Sequence, residues 1–138
     1  MNEIFENYIK NNNPLFESQF IFDDNIKDLY YKYKNDILFL DNIRIVYYEG
    51  GTIFFVNDVV FTVFIVFKNA IRILVKIAPI NRDTGELDNT KLFTREKFDV
   101  INEDHYDYIL SEIKFAHKGA QVFDKILRQK GLNIEKIK

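Results

Sequence analysis

Between Ile37 and Ala78 the chain is written almost wholly in β-branched and aromatic residues, ILFLDNIRIVYYEGGTIFFVNDVVFTVFIVFKNAIRILVKIA, broken at short intervals by turn signals. That spacing predicts an antiparallel meander. Ile37–Leu40 reads as a short strand and Asp41-Asn42 as a tight turn. Ile43–Glu49 is expected to pair with Thr52–Val56 across Gly50-Gly51, because two glycines tolerate the positive φ angles of a two-residue hairpin. Asn57-Asp58 makes the next turn, and Lys68-Asn69 joins Val59–Phe67 to Ala70–Ala78. Val59–Phe67 is apolar on both faces, the pattern of a central strand covered on both sides. In the last strand Ile71, Ile73, Val75 and Ile77 point one way, and Arg72, Leu74, Lys76 and Ala78 the other. One face of that strand is therefore buried and the other partly wet.

The flanks read as helix. Residues 2–10 form a short amphipathic helix with Asn2 as cap, stopped by Asn11-Asn12-Asn13-Pro14. Residues 15–22 fit either a strand or a turn of helix. Asp24 caps a second helix over 24–34, with Ile26, Leu29, Tyr30 and Tyr33 on one side. Pro79–Thr90 is the longest polar stretch, with a turn at Asp83-Thr84-Gly85-Glu86. Residues 92–100 fit a further short strand or an irregular segment. A long helix spans about 103–130, capped by Asn102 and stopped by Gly131. Its acids sit at the start and Lys125, Arg128 and Lys130 at the end, as the helix dipole favours. Ile109, Ile113, Ala116, Ala120, Phe123 and Leu127 form one apolar stripe that should lie across the sheet. The predicted fold is α+β: an antiparallel β-meander of four to five strands, two short N-terminal helices and a long C-terminal helix packed on one face.

Length and composition narrow the class. A chain of 138 residues makes a single domain, 1–138, able to build a core without staples. Hydrophobic residues are 47% and charged residues 29%, so the chain is globular rather than disordered. The net charge of −2 supplies no global field for nucleic acid or anionic membrane. With no cysteine, disulfides, thiolate catalysis and Cys-bound zinc are excluded. The N-terminus MNEIFENYIK has no basic segment followed by an apolar run, so no signal peptide is expected. The longest near-apolar run, Val59–Phe67, is far short of the roughly 20 residues of a membrane helix. A cytoplasmic protein with no membrane contact is the expectation. The 14 Phe and 8 Tyr, alongside abundant Ile, Lys and Asn, match A/T-rich coding, so single aromatics carry little weight.

Few residues suggest chemistry. His105 and His117 lie 12 positions apart on the predicted helix, about 18 Å, too far to share a metal; both read as surface or boundary residues. Asp83, Glu86 and Asp88 cluster in the polar loop without EF-hand spacing. Ser18 and Ser111 stand in no nucleophile motif, and Gly50-Gly51 is not a phosphate loop. Tyr30, Tyr31, Tyr33, Tyr106 and Tyr108 suit either an interface or boundary packing. The second face of the sheet is more suggestive. Arg44, Val46 and Tyr48 share a face of their strand, as do Arg72, Leu74 and Lys76 of theirs. Together they would make a cationic and aromatic surface able to stack a base or grip a phosphate, unless the helices at 2–10 and 24–34 cover it or it pairs with another subunit.

Three functions follow. The first is a non-catalytic binding protein acting by protein–protein contact, an inhibitor or accessory factor of phage or mobile-element type, with Arg44, Tyr48, Arg72 and Lys76 as the contact set. The second is a small-ligand binder for a nucleotide-like molecule, using that face or a pocket under the 79–90 loop. The third is an enzyme of unnamed class built from Asp83, Glu86, His105 or Glu112. No cofactor is called for. A homodimer, through the sheet face or the helix stripe, is compatible with all three. Nucleic acid is a further candidate partner that the net charge does not favour.

Overall fold

The computed structural model describes residues 13–88 and 90–129. Its elements run α1 (Leu15–Ser18), α2 (Asp24–Leu38), β1 (Ile43–Tyr48), β2 (Gly51–Val56), β3 (Val59–Phe67), β4 (Ala70–Ile77), β5 (Thr94–Val100) and α3 (Tyr106–Gln129). The five strands form one antiparallel sheet in the order β1-β2-β3-β4-β5, so every neighbour in sequence is a neighbour in space. This is the expected α+β meander with the long helix across one face. Among the described residues, no helix is long and apolar enough to cross a membrane. The helix expected over residues 2–10 and the stop at Gly131 lie outside the described residues.

The turns sit where Gly and Asn permit left-handed backbone. Asn42 (φ 61°), Gly50 (φ 92°) and Asn57 (φ 52°) open or turn the hairpins. The Gly pair divides its labour, since Glu49-Gly50 makes the turn while Gly51 begins β2. A Cβ on Gly51 would collide with the Phe64 carbonyl and the Tyr48 ring, so this position needs space rather than an unusual φ.

Three expectations are corrected. Ile37–Leu40 is not a strand. Ile37 continues the α2 stripe of Ile26, Leu29, Tyr30 and Tyr33 at helical spacing, and it is fully buried there. The long helix starts at Tyr106, not 103. Asn102 Oδ1 accepts the Asp104 N–H at 2.9 Å and so closes a turn before the helix. His117 is neither surface nor boundary. It is buried, with its ring against Phe61 and its Nε2 2.7 Å from the Asp41 carbonyl.

Both long helices lie on the same face of the sheet. Tyr30 and Tyr33 of α2 stack edge-on against Phe64 of β3, and Ile109, Ile113, Ala116 and Ala120 of α3 join Phe61, Ile73 and Val75 in one core. The tyrosines at 30, 33 and 106 are core residues, whereas Tyr108 is exposed. The Tyr106 hydroxyl donates to Asp36 and lies 3.1 Å from the Lys32 carbonyl, tying α3 to α2. In the same half of α2, buried Lys34 pairs with Glu17 of α1, which also accepts from the Tyr30 hydroxyl at 2.7 Å. Burial works against the Lys34 charge, but its bonds to Glu17 and Tyr47 prevail and hold its pKa above the ordinary lysine value.

Candidate functional site

The opposite face of the sheet, away from α2 and α3, carries all four residues expected to form the contact set. The strand registers place them at its corners. One row runs Tyr48, Gly51, Ile65, Arg72, Asp99; the next runs Val46, Ile53, Val63, Leu74, Lys97. Arg44 stands opposite Phe55 at one side, and Lys76 opposite Arg95 at the other. Three strand spacings separate β1 from β4, about 14–15 Å. The four therefore frame an apolar centre instead of converging. At that centre Val46, Ile53 and Phe55 are buried.

The β1 pair is committed to the fold. The Arg44 guanidinium lies 4.2 Å from the Phe55 ring centre, donates to the Asn57 carbonyl at 3.0 Å and faces Asp58 at 3.5 Å. Tyr48 lies over Gly51 and donates to the Phe64 carbonyl at 3.4 Å. On β4, Arg72 donates to both oxygens of Asp99, at 2.8 and 3.4 Å, and holds that carboxyl below the usual range. Lys76 is different. Its cross-strand partner is another cation, Arg95, and its ammonium lies 5.0 Å from the Phe93 ring centre. Burial first, and the Arg95 charge second, push its pKa below the ordinary lysine value.

Arg95 and Lys97 thus join this surface, while Arg44 and Tyr48 are held by contacts within the sheet. Both added residues are exposed on β5 and share the outward face with Asp99. The signal in the sequence was the alternation Arg95, Lys97, Asp99. It was hard to see because β5 is an edge strand with few apolar residues to mark it.

A second candidate lies under the loop that starts at Pro79. The loop is ordered by its own bonds: a bridge joins Ile80 to Leu87, and the Asn81 side chain accepts the N–H groups of Asp83 and Thr84 at 2.8 and 3.1 Å. Beneath it is a cleft of 580 Å³ with an apolar floor of Ile77, Ala78 and Ile80 and a polar rim that includes Arg82, Asp83 and Glu96. Arg82 grips Glu112 of α3 through two bonds, 2.9 and 3.2 Å, with its guanidinium 4.0 Å from the Phe115 ring centre. Burial, then the charge of Glu112, raises the Glu96 pKa, and Arg82 partly offsets them.

Of the four residues weighed for catalysis, two reach this region. Asp83 lines the cleft, and Glu112 is bound to Arg82 beside it. Glu86 is exposed on the loop, and His105 is exposed in the turn before α3. Among the described residues no group of three His, Cys, Asp or Glu side chains is placed to hold a metal ion. Compared with known protein families, curated proteins and solved structures, the chain matches none.

Proposed function

We propose that this is a small non-catalytic binding protein that works by protein–protein contact through the β4–β5 side of the outer face. The observation that carries the reading is the cross-strand pair Lys76–Arg95. Like charges directly opposite each other on a sheet cost stability. An acidic side chain from a partner, placed between them, turns that repulsion into two attractions. Lys97, one row along, extends the cationic strip, while Arg72 is already neutralised by Asp99.

A protein suits this strip better than nucleic acid. The cations span only a few residues of a chain whose net charge is −2, too little for a phosphate backbone track. Exposed Leu92 and Phe93 border them, which adds the apolar contact that protein interfaces use. An inhibitor or accessory factor of phage or mobile-element type, acting in the cytoplasm, is the role that small size and A/T-rich coding support.

The test is affinity capture from a lysate of the organism that encodes the protein, with wild type beside the double variant Lys76→Glu, Arg95→Glu. The double reversal keeps a like-charge pair and inverts the sign offered to a partner; it also gives up the Lys76–Phe93 contact, so the melting temperatures of both proteins are compared first. Loss of the captured protein is expected. Capture that survives the reversal would place the contact elsewhere.

The cleft under the 79–88 loop supports a second reading, a small-ligand site. A ligand that binds only the folded state raises the melting temperature in a saturable way. A screen of nucleotides and amines that produced no such shift would remove this reading.

A further inference from the structure

Resting on the protein-binding reading, we propose that β5 is a strand-addition site: an extended acidic segment of a partner pairs along it as a sixth strand. β5 is one edge of the sheet, and among the described residues no strand lies on its outer side. Every second backbone N–H and C=O of an edge strand faces away from its neighbour and is available to a new strand. At the other edge, α1 packs against β1.

Exposed apolar side chains border β5. Nine large apolar side chains are exposed among the described residues, and four of them flank this strand. Leu92 (84% exposed) and Phe93 (37%) precede it, Ile101 (58%) follows it, and Tyr108 (56%) stacks edge-on against its Phe98 at 6.0 Å between ring centres. Charge specifies the occupant. On the outer face Arg95, Lys97 and neighbouring Lys76 stand in excess once Asp99 is paired with Arg72. Cations on an edge deter indiscriminate pairing; here they repel a basic strand and admit an acidic one. Because side chains alternate between faces, the fitting segment has acids at every second position, against Arg95 and Lys97, with the intervening positions facing Glu96 and then Phe98 and Tyr108.

The probe is a synthetic eight-residue peptide alternating Glu with Val, compared with the same peptide N-methylated at alternate residues and with a Lys-for-Glu counterpart. The readout is amide hydrogen exchange of the full chain. The proposal expects the Glu peptide to slow exchange at the outward-facing β5 amides by about tenfold or more, the scale of a bound, protected hydrogen bond. N-methylation and the Lys peptide should abolish this. Equal binding of the N-methylated peptide, or protection confined to β1, would overturn strand addition. Absence of any peptide binding would also overturn it, and if capture still depended on Lys76 and Arg95 the face contact would stand without it. Outward β5 amides already protected in a free protein of twice the chain mass would mean that a second copy occupies the edge, which also overturns the proposal.

Discussion

Gly51 shows how one residue can look like one thing in sequence and serve as another. The Gly50-Gly51 pair announces a turn, and Gly50 does supply the positive φ. Gly51 instead lies under the Tyr48 ring and beside the Phe64 carbonyl, a contact created by the register of three strands and so invisible in a local pattern. Gly51→Ala should cost about 1–3 kcal/mol, as overpacking does, measured by urea unfolding. A neutral result would mean that both the Tyr48 ring and the β2–β3 backbone at Phe64 give way freely. The Glu17–Lys34 pair was equally hidden, because a lysine in a helix ordinarily faces water. Here it is buried against Tyr31 and Tyr47. Glu17→Ala strands that cation and should cost about 3 kcal/mol. A change below about 0.5 kcal/mol, the range of an exposed pair, would show that water reaches Lys34.

The elements were legible wherever periodicity ran on unbroken. β2 and β3 follow from apolar runs bounded by turn signals, β4 from alternation and the body of α3 from a 3.6-residue stripe. The errors came where two patterns meet. Ile37-Leu38 is strand-like by composition but falls on the α2 stripe, and packing of Ile37 in the core decides for helix. β5 has only Phe98 and Val100 as apolar residues, because an edge strand is wetted on more sides. The loop between β4 and β5 read as solvated polar chain, yet it is pinned to α3 by Arg82–Glu112. That linkage carries a test. Removing the Glu112 charge in Glu112→Gln should lower the Glu96 pKa toward the ordinary value while leaving it raised, since burial is the larger cause. An NMR titration that found Glu96 unmoved would separate the two carboxyls.

For the whole molecule, the sheet order and fold class were readable because every connection is between neighbours. The proposed contact surface was only half readable, because Lys76 and Arg95 are brought together across the loop between β4 and β5. The buried phenols give the molecule a pH signature. Burial raises the pKa of Tyr30 and Tyr106 well above 10, and that of Tyr33 to about 12. Between about pH 10, where an unfolded tyrosine ionises, and those folded values, only the unfolded chain releases protons. Stability from these groups is therefore complete below pH about 10 and is lost as pH rises above it. Denaturant midpoints should be level on the near-neutral side and fall steeply in alkali, with the tyrosinate absorbance of the three buried phenols withheld until the chain unfolds. Full tyrosinate absorbance from all 8 tyrosines while the fold is intact would contradict the buried assignment. The most direct test of the account concerns Lys76. Lys76→Glu places opposite charges across β4 and β5, a gain of about 0.2–1 kcal/mol that offsets the lost contact with Phe93, so the free variant should stay folded and lost binding cannot be blamed on unfolding. Quantitative partner capture with this folded variant should fall to background. Capture equal to wild type would contradict the claim that the cationic pair is there to meet an acidic partner.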